Sequence, residues 1–157
     1  MKILVQQQKA LNMLDIAAKF VSKNSTLPIL QNIYLKASID SLLIRATDME
    51  KYVEIEIPCE VQIEGAITIN AKTFLDILKT IESENIELSV DQKTNIMTIK
   101  TPKDTFDING IAASEYVALP EVPQENSFVL DTLAFSKGID HVEYAVTEKS
   151  FSPVLTG

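Results

Sequence analysis

The 157-residue chain contains one cysteine, one histidine, four glycines and no tryptophan. A single cysteine has no partner for an internal disulfide and is typical of a reducing compartment, so a cytoplasmic location is predicted. Apolar runs stay well below the roughly 20 residues that a membrane-spanning helix needs. Only three apolar residues follow Met1-Lys2 before a polar run, so no secretory signal and no membrane association are predicted.

Residues suited to catalysis are sparse as well. His141 has no second histidine beside which to bind a metal, and Cys59, in a strand-like segment, is typical of a small buried apolar residue. Asp48 and Glu50 bring two carboxylates together, as paired acid–base chemistry requires, but their position between two predicted strands favours a hairpin turn. The chain lacks a P-loop and a G-x-G-x-x-G pattern. We therefore predict a protein without catalytic activity, metal or cofactor.

The net charge of −8 is unevenly distributed along the chain. Residues 1–35 carry four lysines against Asp15 alone, whereas the remainder holds ten basic and 21 acidic residues. One interpretation is an acidic domain whose first helix happens to carry lysines. The other is a protein that presents a basic face to nucleic acid while the rest of its surface repels it.

Hydrophobic periodicity predicts two similar β-α-β-β-β units. The predicted strands are residues 3–5, 33–35, 42–46 and 52–57 in the first unit, and 66–70, 86–90, 95–100 and 105–108 in the second. The predicted helices are residues 8–23 and 72–81. This order indicates an α+β fold in which two helices pack on antiparallel sheet.

A longer repeat relates the stretch TLPILQN (residues 26–32) to FSPVLTG (residues 151–157) at a shift of 125 residues. The shift predicts a first domain over residues 1–118, a proline-containing linker over 119–126 and the truncated start of a similar second domain over 127–157. We expect the native protein to continue beyond residue 157. Pro28 is expected at the entry to the strand that follows the first helix.

Each predicted helix has an apolar face and a polar face at a spacing of 3.6 residues per turn. The polar positions are Gln8, Asn12, Asp15, Lys19 and Lys23 on the first helix and Lys72, Asp76 and Lys79 on the second. A solvated helix face is the usual explanation of such a pattern. Long cations mixed with amides also suit weak contact with DNA phosphates that does not depend on base sequence.

Five stretches, taken in order, resemble the bacterial β sliding clamp family, the processivity subunits of DNA polymerase III. They are TLPILQN, IYL, SLLIRATDMEKYVEIEIP, AITINAKTFLDILK and EYVALPEVP. The resemblance covers the whole chain and implies a DNA-clamp-like fold. It further implies a homodimeric ring around duplex DNA, with the replicative polymerase and the clamp loader as partners of the full-length protein. The competing interpretation is an acidic α+β protein-interaction module without a role at DNA.

The resemblance also implies roles for individual residues. The DNA-facing set is Asn12, Lys19, Lys23, Asn24, Lys72 and Lys79, with Asn24 standing where the family often has a basic residue. The subunit interface would contain Phe106 and Ile108, with Lys103 beside them and a neutral Thr105. The alternative is that Phe106 and Ile108 are ordinary core residues of a strand.

Overall fold

The computed structural model describes residues 1–22, 26–118, 128–147 and 151–156, and the chain forms two compact units, Met1–Leu119 and Pro120–Gly157. Two helices are inserted among a larger number of strands in the first unit. In chain order they are β1 (Lys2–Gln6), α1 (Gln7–Ala17), β2 (Asn32–Ser38), β3 (Ser41–Thr47), β4 (Tyr52–Pro58), β5 (Glu60–Ile63), β6 (Gly65–Asn70), α2 (Ala71–Thr80), β7 (Asn85–Asp91), β8 (Ile96–Lys100) and β9 (Thr105–Asn109).

The strands form two antiparallel sheets, of five strands in the order β5-β1-β7-β8-β9 and of four strands in the order β4-β3-β2-β6. The two predicted β-α-β-β-β units exchange their first strands. Strand β1 of the first unit pairs with β7 of the second, and β6 of the second pairs with β2 of the first. Neither half can therefore complete its sheet without the other, so the two units make one domain.

The α+β class and the antiparallel packing with two helices are confirmed. Strand β5 was not predicted, because its four residues pair only briefly with β1 and the register between them shifts after Lys2. A strand this short gives little alternation for a pattern to reveal. It extends the five-stranded sheet at its free edge.

The core lies between the sheets and the inner faces of the helices. Helix α1 buries Ala10, Leu14 and Ala17. Helix α2 buries Phe74 and Leu78, both with no exposed surface. Each large apolar side chain removed from water contributes about 1.5–3 kcal/mol, so these faces fix the helices on the sheets. The opposite faces of α1 and α2 are directed to solvent.

The first helix is shorter than the predicted 8–23, because it ends at Ala17. The chain then turns, and the backbone N–H of Ser22 donates to the carbonyl of Leu30 at 2.9 Å. This long-range bond competes with continuation of the helix. Residues 23–25, which contain the predicted DNA-facing Lys23 and Asn24, lie outside the described residues.

The expectation for Pro28 is also corrected. Pro28 begins a four-residue 3-10 turn, Pro28–Gln31, and the next strand starts only at Asn32. The fixed φ of proline suits a first helical position, and its missing N–H is not needed there. The proline therefore starts a helical turn and does not enter a strand.

The second compact unit of the chain repeats the helix and the 3-10 turn of the first at a shift of 125 residues. Helix α3 (Thr132–Val142) has the length of α1, and Pro153–Thr156 forms a 3-10 turn like Pro28–Gln31. The backbone N–H of Thr147 donates to Leu155 at 3.2 Å, the counterpart of the bond from Ser22. The predicted linker, residues 119–126, lies outside the described residues.

Candidate nucleic-acid interface

Helices α1 and α2 contact each other and run in opposite directions. At one end, the side-chain Nε2 of Gln7, the first residue of α1, donates to the carbonyl of Leu78 in the last turn of α2 at 2.7 Å. At the other end, Ala18 and Ala71 line one groove of about 490 Å³. The pair therefore forms a layer whose inner side is apolar and whose outer side carries those predicted DNA-facing residues that the structure describes.

The outer face of α1 follows the predicted stripe. Gln8, Asn12, Asp15 and Lys19 are all exposed, with Lys19 in the turn just after the helix. Gln8 Nε2 donates to Asn12 Oδ1 at 2.9 Å, and Lys19 Nζ lies 3.8 Å from Asp15 Oδ2. An exposed pair at this distance is weak, so the Lys19 ammonium can exchange its carboxylate for a phosphate.

The outer face of α2 carries Lys72, Asp76 and Lys79, all exposed. The helix begins at a capping residue, because Asn70 Oδ1 accepts the backbone N–H of Thr73 at 3.0 Å. Neither lysine forms an ion pair with any residue that the structure describes. Both ammonium groups are available to an external anion.

Lys9 was missing from the predicted stripe although it is exposed on α1. It lies beside Gln8 and therefore 100° around the helix from the stripe that the spacing defined. The positive charge of Lys9 was included in the charge count of residues 1–35. Its orientation toward solvent depends on how α1 packs on the sheets. Four lysines and two aspartates consequently lie on the exposed faces of the helix pair.

The hairpin of β4 and the short strand β5 have the opposite charge. Residues 48–64 contain six carboxylates and Lys51 as the only base. Arg45 on β3 pairs with Glu54 across the neighbouring strand. A polyanion is therefore attracted to the helix layer and repelled by this part of the sheets.

The predicted interface residues lie on and before β9, which is an edge strand of the five-stranded sheet. Ile108 is only 6% exposed and belongs to the core, and Phe106 is half-buried against it. Lys103 is exposed in a turn in which Thr101 Oγ1 accepts the N–H groups of Lys103 and Asp104 at 3.2 and 2.8 Å. Their role between subunits stays a prediction.

The residues considered for chemistry occupy structural positions. Asp48 lies in the turn between β3 and β4, where its Oδ1 accepts the N–H groups of Glu50 and Lys51 at 3.0 and 2.7 Å, and these bonds hold the pKa of Asp48 below its usual value. Burial raises the pKa of the Cys59 thiol, which keeps it protonated. His141 is exposed on α3.

Over the described ranges, no cluster of three histidine, cysteine or acidic side chains is placed to hold a metal ion. Within the same ranges, no helix is long and apolar enough to cross a membrane.

Residues 1–120 match the family described as the DNA polymerase III beta subunit, N-terminal domain. The curated relatives include beta sliding clamps of Bacillus subtilis, 30% identical over 165 residues, and of Staphylococcus epidermidis, 27% identical over 165 residues. Both alignments cover 100% of this chain, but only 43% and 44% of the respective relatives. The chain therefore spans less than half the length of these proteins.

Structural comparison agrees. The crystal structure of the DNA polymerase sliding clamp from Bacillus subtilis has a TM-score of 0.90 to this chain at 27% identity, covering 100% of the chain and 43% of the clamp. The resemblance in the five quoted stretches, the strand-exchanged α+β domain and the match over residues 1–120 agree with one another. The chain belongs to the DNA polymerase III beta subunit family, the beta sliding clamps.

Proposed function

We propose that this chain supplies the first domain, residues 1–118, and the start of the second, residues 127–157, of a ring-shaped homodimeric clamp that encircles duplex DNA in the bacterial cytoplasm. The ring tethers the replicative polymerase to its template and is placed on DNA by a clamp loader. It acts without catalysis, by topology and weak electrostatics. The segment 119–126 links the two domains.

The observation that carries this proposal is the polar outer face of the helix pair. Lys19, Lys72 and Lys79 are exposed there together with the amide of Asn12, while both helices direct their apolar faces to the core. Each lysine that neutralises a phosphate releases a condensed counterion, which makes the contact salt-dependent and indifferent to base sequence. Such contacts let a ring slide, because no position along the duplex is preferred.

Sparse contacts also explain why a ring is required. A few exposed lysines, with Asp15 and Asp76 beside them, bind DNA too weakly to remain on it during replication. Closure of the ring converts weak contact into long retention, because dissociation then requires opening the ring or reaching a DNA end. Lys23 and Asn24, which directly follow the turn after α1, are proposed to extend the same surface.

The test replaces Lys19 and Lys72 by glutamate in the full-length product of the gene and measures its retention on nicked circular duplex DNA across a salt series. Lys93→Glu, an exposed lysine in the turn between β7 and β8, is the matched control for the change in charge. We expect loss of retention in the helix variants and near-normal retention in the control. Equal retention of the Lys19→Glu, Lys72→Glu and Lys93→Glu proteins at every salt concentration would favour an interaction module without a role at DNA.

A further inference from the structure

Gln7 connects the two helices of the proposed DNA-facing layer. Its side chain is 8% exposed, and its Nε2 lies 2.7 Å from the carbonyl oxygen of Leu78, a residue 71 positions away. Its backbone N–H also donates to the carbonyl of Glu84 at 2.9 Å, in the segment that follows α2. One residue at the start of α1 therefore holds both the end of α2 and the chain leaving it.

The carbonyl of Leu78 depends on this bond. The last carbonyls of a helix lack partners within the helix and need another donor. Leu78 also accepts the backbone N–H of Ile81, but at 3.4 Å. The amide of Gln7 is therefore the shorter and stronger of the two bonds in the last turn of α2. That turn also contains Lys79, which directly follows Leu78.

Among the residues that the structure describes, no comparable side-chain bond joins the opposite end of the helix pair. Matching the two β-α-β-β-β units places Ala71 of α2 at the position of Gln7, and an alanine side chain cannot donate. A groove of about 490 Å³ lies between the end of α1 and the start of α2. Lys72 and Lys19 lie at this end. Gln7 can therefore orient Lys79 without influencing Lys72.

We propose that Gln7 is a positioning residue that fixes the last turn of α2 and thereby directs Lys79 toward the DNA backbone. This inference rests on the proposed function, since it assigns a role to Lys79 in that function. Glutamine suits the task because its amide donates a hydrogen bond without placing a buried charge among the lysines. Lys72 makes its contact independently, about 10 Å along the helix at 1.5 Å per residue.

The first measurement does not involve DNA. Gln7→Met keeps the length of the side chain but removes the donor, and Gln8→Met makes the same change at an exposed neighbour. Amide hydrogen exchange in the last turn of α2 should rise about ten-fold in Gln7→Met, while exchange in its first turn stays unchanged. Unchanged exchange in the last turn, or equal acceleration in Gln8→Met, would overturn the proposal.

The second measurement is a pair of double-mutant cycles on a short linear duplex at low salt, where a ring slides off the ends and only direct contact is measured. In the full-length product of the gene, Lys79→Ala and Gln7→Met should each weaken binding about three-fold, and their combination should be no weaker than either alone. When Gln7→Met is combined with Lys72→Ala, the loss of DNA affinity should instead equal the product of the two single losses. If the losses multiply in the cycle with Lys79 as well, the positioning role is overturned.

The two measurements separate the inference from the proposed function. If the unmodified protein shows no salt-dependent DNA binding, the proposed function fails together with the role of Lys79, whatever the exchange data show. If the unmodified protein binds DNA and the last turn loosens, but Lys79→Ala and Gln7→Met act independently, the function stands. In that case the assignment of Gln7 is wrong.

Discussion

The ring of Tyr116 lies against the ring of Tyr34, with centroids 5.6 Å apart and planes inclined by 33°. The hydroxyl of Tyr116 donates toward the carbonyls of Asn32 and Arg45, each 3.4 Å away. The guanidinium carbon of Arg45 in turn lies 5.7 Å from the centroid of Tyr34. Tyr116 thus attaches the segment after β9 to strands β2 and β3.

A second attachment precedes Tyr116 along the same segment. Ile111 and Thr68 exchange two backbone hydrogen bonds of 3.0 and 2.9 Å. Gly110 permits this close approach, because a Cβ at that position would come within 2.7 Å of the carbonyl oxygen of Thr68. The segment that leads to the proposed linker is therefore held to the domain at two points.

Tyr116 should make the stability of the chain sensitive to alkaline pH. Burial raises the pKa of Tyr116 to about 12. Because the folded value exceeds the unfolded value of about 10, the neutral phenol stabilises the fold fully below pH 10 and loses that contribution as the pH rises toward 12. Discounted for partial exposure, we expect a loss of about 1 kcal/mol in the free energy of unfolding over this window.

Tyr116→Phe isolates this effect from every other change of the chain at alkaline pH. The variant should be less stable than the unmodified chain at pH 8 by about 1 kcal/mol, because it lacks the hydroxyl. The difference should shrink as the pH rises above 10. Urea unfolding from pH 8 to pH 11 measures it, and parallel pH profiles of the two proteins would contradict the assignment.

Replacement of Ile39 should stabilise the chain. Ile39 lies in the turn between β2 and β3 with φ of 57° and 82% of its surface exposed. A β-branched residue is unfavourable in this left-handed conformation, and the exposed side chain gains little packing to offset that cost. Ile39→Asn should raise the free energy of unfolding by about 1 kcal/mol, since asparagine tolerates this conformation. The backbone bond from Ile39 N–H to Glu64 Oε1, at 2.9 Å, is retained.

The matched control is Ile63→Asn, another exposed isoleucine, which lies in strand β5. Asparagine is unfavourable in a strand, so this change should leave the stability unchanged or lower it. Thermal unfolding of the two variants compares them. Equal shifts in Tm would mean that the removal of exposed apolar surface, and not backbone strain, is responsible.

Asp48 should contribute to stability only when it is ionised. Backbone hydrogen bonds, the largest from Lys51, lower its pKa in the folded chain. A lowered folded pKa means that the contribution is present above the unfolded value of about 3.9 and is lost as the pH falls through the folded value. Asp48→Asn keeps a neutral oxygen acceptor for both N–H groups but does not titrate, so its stability should fall less than that of the unmodified chain as the pH drops.

Asp48→Ala is the companion variant, because it removes the acceptor as well as the charge. It should loosen the hairpin at every pH, whereas Asp48→Asn should be less stable than the unmodified chain at neutral pH and should approach it in stability at acid pH. Circular dichroism between pH 6 and pH 2 follows both. Retention on DNA should be unaffected in the asparagine variant, and a loss of retention would mean that Asp48 has a role beyond closing the turn.

The features that local spacing determines were predictable from the sequence. The apolar faces of α1 and α2 and most of the strands follow from periodicity, because burial of one face repeats every 3.6 or two residues. The turn at Asp48 follows from residue type. The charged outer faces consist of the positions that the same pattern leaves exposed.

Features that depend on distant partners were not predictable. Helix α1 ends at Ala17 and the chain then turns back through the bond from Ser22 to Leu30, and β1 pairs with β7, which begins more than 75 residues later. Gln7 was visible as a polar residue on the face of Ala10 and Leu14, which signals a buried polar group with a partner. Its partner is set by the antiparallel packing of two helices, which no local pattern encodes.

Strand β9 is expected to join two subunits through the exposed part of Phe106. Ile108→Ala should lower the free energy of unfolding by about 2–5 kcal/mol, because Ile108 is in the core. Phe106→Ala should cost less, since its ring is only half-buried in this chain. If the exposed part of that ring is covered by a partner subunit, the same change should shift the full-length product of the gene from dimer to monomer.

Phe20→Ala is the matched control, because Phe20 is also a half-buried phenylalanine packed against the core but follows α1, far along the chain from β9. The two variants should lose similar stability in chemical denaturation. Only Phe106→Ala should change the mass measured by sedimentation equilibrium, because only its ring lies on an edge strand that can be extended by another chain. Equal masses for the two variants would mean that Phe106, like Ile108, serves the core of its own domain.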